Sequence, residues 1–140
     1  MKTGRDSGSD EIVVDSYAWI EYFRGSAEGK KAERIIDGNF RLLTPAIVIA
    51  ELSDKYRRSG ASEEWENEKF VYIGIKSEIV KLDEDIADLA GKIKTEKRQV
   101  YPDFGLGDAV ILATAKKLNA RVLTGDKHLK NEKDAMDITK

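Results

Sequence analysis

Short apolar runs alternate along this chain with longer segments of helical periodicity. The β-branched run EIVVD at 11–15 predicts a buried strand. Further strands are predicted at FRLL (40–43), at 79–82 within an ambiguous stretch, and at RVLT (121–124), and AMDIT (135–139) is a candidate for the last one. The spacing between these runs leaves room for a helix between most neighbouring strands.

Apolar residues recur at helical spacing between the strands. The clearest helix start is Thr44 as N-cap with Pro45 at the first helical position, where its missing N–H costs nothing. Pro102 and Gly105 argue against regular structure in the loop at 101–107. The predicted helices run from Ser16 to the stop signal Gly25, from Ser26 to about Asp37, from Thr44 to about Arg58, from Ser62 to about Tyr72, from the acidic start at Asp83 onwards, and from Asp108 to Asn119.

Strands that alternate with helices predict an α/β sandwich with a mainly parallel central sheet. The 140 residues fit one domain, expected at 11–140, after a polar N-terminal lead-in at 1–10. In such sheets the ligand site lies beyond the carboxyl ends of the strands. The polar residues at those ends are therefore the first candidates for function.

The composition excludes several kinds of chemistry. Without cysteine the chain has no disulfide, thiolate metal site or cysteine nucleophile, and the single histidine, His128, excludes a histidine-rich zinc site. The longest apolar runs, such as Ala46–Ala50, are too short to span a membrane, and no secretory signal is present, so a cytoplasmic protein is expected. A formal net charge of −2 gives no overall attraction to nucleic acid, which would need a local basic patch or bound cations.

Four of the many acidic residues have apolar neighbours. Asp15 ends the first strand, Asp126 follows the strand RVLT, Asp108 begins an apolar helix, and Glu51 interrupts the run IVIAEL. Strand ends and the amino ends of the following helices share one edge of a parallel sheet, so all four carboxylates are expected to converge there. Converging carboxylates repel and are costly to desolvate unless a cation compensates them.

An all-oxygen set of ligands suits Mg²⁺ or Mn²⁺, which can activate water and stabilise charge on a phosphodiester. Each residue alone also has a plainer interpretation. Asp15 and Asp108 suit helix N-caps, Asp126 suits a turn, and Glu51 stands four residues before Lys55, the spacing of a surface ion pair. The conjunction of four such residues on one predicted edge favours the metal site.

Four segments in this order, VVDSYAWIEYFRG, TPAIVIAEL, GDAVILATA and VLTGD, resemble the PIN-domain family, and most of all VapC-type toxins, the ribonuclease halves of toxin–antitoxin pairs. The resemblance extends from residue 12 to about 140. It implies a PIN-like three-layer α/β/α sandwich and a Mg²⁺- or Mn²⁺-dependent endoribonuclease, often a homodimer, whose cleft an antitoxin covers. The family's acidic residues fall on Asp15, Glu51, Asp108 and Asp126, and its small hydroxyl residues on Ser16 and Thr124.

Two residues near these acids are weaker candidates. Asp103, in the loop before Asp108, is either an additional ligand or a turn former, and the turn is favoured. His128 lies two residues after Asp126 and titrates near neutrality, but activation of water by a metal needs no protein base. His128 is therefore left outside the catalytic set.

Two further groups have alternative uses. Lys55, Arg57 and Arg58 suit the carboxyl end of their helix and could equally contact phosphates. The aromatic residues at helical spacing in the first helix, Trp19, Tyr22 and Phe23, could stack on bases, although packing in the core or in a dimer is favoured.

Two rival functions remain open at this stage. A PIN-like module that binds RNA or protein without cutting would differ from the enzyme only in lacking metal-dependent cleavage. A phosphoryl-accepting receiver domain is disfavoured because Ser16 follows Asp15 where a second acid is needed, and because the strand FRLL ends in Thr44-Pro45 rather than in aspartate.

Overall fold

The structure of this chain is a computed structural model that describes residues 10–140. The polar lead-in predicted at 1–10 therefore lies outside the described residues except for Asp10. Within the described range, no helix combines the length and the apolar character needed to cross a membrane.

The sheet is built around β1 (Glu11–Val14), which has a parallel neighbour on each side. β2 (Arg41–Pro45) pairs with it along one side and β4 (Arg121–Thr124) along the other. β3 (Glu78–Val80) and β5 (Ala135–Asp137) extend the sheet as parallel strands, giving the order β3-β2-β1-β4-β5. Because all five strands run the same way, their carboxyl ends share one edge.

Six helices connect the described strands. They are α1 (Ser16–Arg24), α2 (Ala27–Ile36), α3 (Ala46–Arg58), α4 (Glu63–Lys76), α5 (Glu84–Lys97) and α6 (Leu106–Leu118). α1 packs on α2 and α5 packs on α6, while α6 also lies against β1, β2 and β4. Every residue of α6 from Ala109 to Ala115 is buried, which explains its almost uninterrupted apolar sequence.

The predicted α/β fold with a parallel central sheet is confirmed. β1 is a buried strand, with Ile12, Val13 and Val14 fully shielded from solvent. α1 ends at Gly25, which adopts the left-handed conformation at φ 67° that glycine allows without strain. Ser26 caps α2 by accepting a hydrogen bond from the Gly29 N–H at 3.0 Å. Local signals therefore set the boundaries of the first two helices.

The predicted start of α3 is wrong. Thr44 belongs to β2, and Pro45 is the residue before the helix and makes no side-chain cap. The Thr44 hydroxyl accepts a hydrogen bond from the Trp19 indole N–H at 3.1 Å and also bonds the Ser77 hydroxyl at 2.7 Å. Trp19 is fully buried, so its N–H needs a partner inside the protein, and this need outweighs the local helix-start signal.

Other boundaries differ from the prediction by a few residues. α4 extends to Lys76, β3 begins at Glu78, and α6 begins at Leu106, inside the predicted loop. The segment after Asp126 is a turn, closed by a hydrogen bond from the Lys130 N–H to the Asp126 carbonyl at 2.9 Å. None of these differences moves the carboxyl edge of the sheet.

Candidate active site

Asp15 lies immediately after the central strand and is almost completely buried, with 1% of its surface exposed. One carboxylate oxygen accepts a hydrogen bond from the Ala18 N–H at 2.8 Å, so Asp15 caps α1 as the plainer interpretation predicted. The other oxygen accepts a hydrogen bond from the Thr124 hydroxyl. Burial is the largest influence on the Asp15 carboxyl and raises its pKa from 3.8 to about 7, although the two hydrogen bonds oppose that rise. A capping role alone would not require so costly a burial.

Thr124 links Asp15 to Asp126. Its hydroxyl donates to the Asp15 carboxylate and accepts a hydrogen bond from the Asp126 N–H at 2.9 Å. The Asp126 carboxylate in turn accepts a hydrogen bond from the His128 N–H at 2.7 Å, which fixes the turn after β4. The predicted supporting residue Thr124 therefore fixes the positions of Asp15 and Asp126 relative to each other.

Glu51 reaches the same edge of the sheet from the first half of α3. Its Oε1 accepts a hydrogen bond from the Ser16 hydroxyl at 3.0 Å, so the second predicted supporting residue also contacts an acid. Gly107, near the start of α6, lies against the other Glu51 oxygen so closely that a Cβ at this position would overlap it. A side chain at residue 107 would therefore displace the end of the Glu51 side chain from its present position.

The four carboxylates are close enough for their charges to act on one another. Burial, then the charge of Asp126, raises the pKa of Asp108 to about 6, and Glu51 adds to that rise while His128 opposes it. Burial also raises the pKa of Glu51, with a further contribution from Asp126 and an opposing one from the Ser16 hydrogen bond. Asp15 in turn responds to both Asp126 and Glu51. The structure therefore brings the four predicted residues together as one electrostatic unit.

The donor set suits a hard divalent cation by its chemistry, because it offers carboxylate and hydroxyl oxygens only. Within residues 10–140, no group of three or more His, Asp or Glu side chains is placed so that it could already hold a metal ion. Mg²⁺ commonly binds one or two carboxylates directly and keeps several waters, so a complete protein cage is not required. Asp15, Glu51, Asp108 and Asp126 are the residues that would hold such an ion.

The two weaker candidates lie beside this site and have structural roles. His128 has only 9% of its side chain exposed and packs between the rings of Tyr101 and Phe104, each 5.5 Å away between centroids. Its Nε2 lies 3.4 Å from an Asp103 carboxylate oxygen, and Asp103 also pairs with Lys127 at 3.4 Å. These contacts hold the loop before α6 against the turn after β4.

The three basic residues at the end of α3 differ in their contacts. Arg57 pairs with the buried Glu66 at 3.1 Å, and Arg58 pairs with Asp54 at 3.0 Å. Lys55 has no ion pair within the described part of the chain, and Glu51, its partner in the plainer interpretation, bonds Ser16 instead. Lys55 is therefore the one of the three whose charge is available to a ligand.

The aromatic residues of α1 pack in the protein interior, as favoured from the sequence. Trp19 is fully buried and stacks on Phe23 at 5.6 Å, which excludes it as a surface for bases. Tyr22 stacks on Tyr72 at 6.0 Å and shares a hydrogen bond with its hydroxyl at 2.6 Å. Phe23 alone of the three also reaches a surface cavity.

Comparison with known proteins now decides the family. A profile of the PIN domain matches residues 12–133, which include all four carboxylates. The chain belongs to the PIN-domain family. No curated protein matches the sequence of this PIN domain.

Solved structures share its fold. A toxin–antitoxin complex from Klebsiella pneumoniae is 20% identical with a TM-score of 0.72, covering 91% of this chain and 97% of that one. VapBC2 from Rickettsia felis, bound to a DNA fragment from its promoter, is 18% identical with a TM-score of 0.72 over 91% of this chain and 98% of that one. VapC20 from Mycobacterium tuberculosis, a toxin that cleaves the sarcin–ricin loop, is 18% identical with a TM-score of 0.66 over 83% and 90% of the two chains.

Gly107 was not singled out by the sequence analysis, and its contact with Glu51 predicts a testable effect. Gly107→Ala should lower the catalytic rate of this PIN domain about tenfold or more, because the new methyl group displaces the Glu51 carboxylate. Its melting temperature should hold or rise, because alanine favours a helix more than glycine does. The measurement is a nuclease assay beside a thermal melt.

Gly91→Ala is the matched control for this substitution. Gly91 lies in α5, and a methyl group added there would meet no atom within 4 Å, so the change gives the same gain in helix propensity without touching the site. Equal cleavage rates for the two variants would contradict a role for the position of Glu51.

Proposed function

We propose that this PIN domain is a Mg²⁺- or Mn²⁺-dependent endoribonuclease of the VapC toxin type. The observation that carries the proposal is the convergence of Asp15, Glu51, Asp108 and Asp126, three of which have pKa values raised by burial and by one another's charge. Keeping ionised carboxylates in such surroundings costs stability, which suits a site whose counter-charge arrives with a ligand. Membership of the PIN-domain family supports the same conclusion.

The residues of the chain would position the reaction. Asp15 is held on both oxygens, by Thr124 and by the Ala18 N–H, so it provides a fixed anchor at the centre of the edge. Ser16 orients Glu51 across from it, and the turn after β4 orients Asp126. A divalent cation bound there would supply activation of water and neutralisation of charge on the phosphodiester.

An antitoxin partner is part of the proposal. The similar folds include toxin–antitoxin complexes from Klebsiella pneumoniae and Rickettsia felis, which supports a partner protein for this chain too.

A homodimer is also proposed, because large apolar side chains of α4, β3 and the residues after β3 are exposed: Val71, Ile75, Ile79 and Leu82. The proposed place of action is the cytoplasm, where an RNA substrate would be met.

Cleavage of a mixed RNA pool by the purified protein tests the proposal. We expect cutting with Mg²⁺ or Mn²⁺, none with EDTA, and a loss of about a hundredfold in Asp126→Asn. Asp134→Asn is a suitable control because Asp134 is exposed and lies apart from the four acids in sequence. If the wild type and Asp126→Asn degrade all RNAs alike, the activity comes from a contaminant, and a PIN-like binding module becomes the better explanation.

A further inference from the structure

Gly125 lies between Thr124 and Asp126, in the turn that carries the last of the four acids. It is buried, and the Tyr17 ring lies against it so closely that a Cβ at this position would overlap the ring. The φ of Gly125 is not positive, so its backbone conformation is open to an alanine as well. The contact with Tyr17, rather than the shape of the turn, therefore explains why residue 125 has no side chain.

The Tyr17 side chain is held at its far end. Tyr17 lies in the first turn of α1, and its hydroxyl donates a hydrogen bond to Glu28 Oε1 on α2 at 2.6 Å. α2 in turn packs tightly on α1, because a Cβ at Gly29, the neighbour of Glu28, would overlap the Glu21 carbonyl. The ring therefore cannot swing away from Gly125 without breaking its bond to α2.

The contact lies at the edge of the candidate site. Tyr17 and Asp126 both line a cavity of about 270 Å³ there. The hydrogen bonds that shape the Asp126 turn are local in sequence: the Asp126 N–H donates to the Thr124 hydroxyl at 2.9 Å, and the His128 N–H donates to the Asp126 carboxylate at 2.7 Å. The contact with Tyr17 differs from them because it joins this turn to α1 and, through the tyrosine hydroxyl, to α2.

We propose that Tyr17 is a positioning residue for Asp126. Its ring fills the space that a side chain at position 125 would need, and so limits how far the turn after β4 can move. Loss of a residue that orients a metal ligand typically lowers metal affinity or activity by about 10- to 100-fold. The proposal rests on the proposed function for the role of Asp126 as a metal ligand, but not for the contact between Tyr17 and the turn.

A double-mutant cycle tests the contact, with Mn²⁺ binding to the full-length protein measured by electron paramagnetic resonance in the absence of RNA. Gly125→Ala should weaken Mn²⁺ binding about tenfold, because the new methyl group pushes the turn away from the Tyr17 ring. Tyr17→Ala should weaken it about tenfold as well, because the turn loses its support. In the double variant the methyl group fits into the space that the ring leaves, so the loss should be severalfold smaller than the product of the two single losses.

Tyr17→Phe is the milder variant, and it keeps the proposal testable if Tyr17→Ala does not fold. It keeps the ring and removes only the bond to Glu28. It should weaken Mn²⁺ binding severalfold and speed hydrogen exchange of the Asp126 amide, measured by NMR. Tyr22→Phe is the matched control, because it also removes an α1 hydroxyl that bonds a carboxylate, Asp37 at the end of α2 at 2.9 Å. It should leave Mn²⁺ affinity and Asp126 exchange unchanged.

Two outcomes overturn the proposal. The first is unchanged Mn²⁺ affinity and unchanged Asp126 exchange in the Tyr17 variants, and the second is a double variant whose loss equals the product of the single losses. If the wild type cuts RNA and either outcome is found, the ribonuclease stands and the positioning role fails. If the wild type neither binds Mn²⁺ nor cuts RNA, while Tyr17→Phe speeds Asp126 exchange and Tyr22→Phe does not, the ribonuclease function fails and the positioning role stands.

Discussion

Asp15→Asn is expected to reduce RNA cleavage about a hundredfold or more and, in EDTA at about pH 8, to make the protein more stable. Cleavage falls because the substitution removes a carboxylate charge from the centre of the proposed metal site. Stability rises because the pKa of Asp15 stands at about 7 in the folded protein, so the charged form is disfavoured there at this pH. An increase in melting temperature of roughly 5 °C is expected.

Asparagine can keep the contacts that hold Asp15 in place. Its carbonyl oxygen can accept from the Ala18 N–H as the carboxylate does, at 2.8 Å in the wild type. The Thr124 hydroxyl, which now donates to Asp15 and accepts from the Asp126 N–H, has a second lone pair that can accept from the asparagine amide, and its own proton then loses the acceptor on residue 15. The substitution therefore removes the charge and leaves the local packing.

Comparing Asp15→Ala with Asp15→Asn separates the effect of the Asp15 charge from the effect of its structural contacts. It removes the same charge but also the cap of α1 and the bond to Thr124, so it should lose both activity and stability, with about 1 kcal/mol lost from the cap alone. Thermal melts and cleavage assays of both variants make the comparison. If Asp15→Asn is as unstable as Asp15→Ala, Asp15 is a structural residue rather than a functional carboxylate held at a cost in stability.

The convergence of the four acids could be predicted because it follows from the topology. In a parallel sheet the carboxyl ends of the strands share an edge, so Asp15 and Asp126 meet there. α6 leads directly into the start of β4, so the amino end of α6, which carries Asp108, lies at the carboxyl edge. Glu51 was predicted by its apolar neighbours in α3. These signals are local and survive errors of a few residues in element boundaries.

The features that the sequence did not predict depend on contacts between distant segments. Thr44 has every local sign of a helix cap, but the buried indole of Trp19 needs its hydroxyl. Glu51 has a lysine at the favoured spacing, yet it bonds Ser16, which lies 35 positions away in sequence. Gly107 looks like an ordinary loop glycine until α3 is packed against α6. These contacts depend on which side chains are buried and on how closely distant segments approach each other. Neither can be read from a single sequence.

The metal-free protein is expected to lose stability as the pH rises from about 4 to about 7. Folding raises the pKa of Asp15 from 3.8 to about 7 and that of Asp108 from 3.8 to about 6, so the folded state binds more protons than the unfolded state across this window. The free energy of unfolding therefore falls with rising pH, by up to about 4 kcal/mol for Asp15 alone. Denaturant titrations in EDTA at a series of pH values measure this slope.

Mg²⁺ should reverse the loss, and more strongly at high pH. A cation binds the ionised carboxylates of the folded protein, so its stabilisation should be several kcal/mol at about pH 8 and small at about pH 5, where protons compete for the same oxygens. Asp15→Asn should show a flatter pH profile and a weaker response to Mg²⁺, while Asp134→Asn should follow the wild type. A wild-type profile that is flat in EDTA would mean that folding does not raise the pKa values of these carboxyls. A Mg²⁺ response that is equal at both pH values would mean that Mg²⁺ does not bind their ionised forms. Because proton binding and metal binding draw on the same buried carboxylates, the two titrations must change together if this edge of the sheet is the catalytic site.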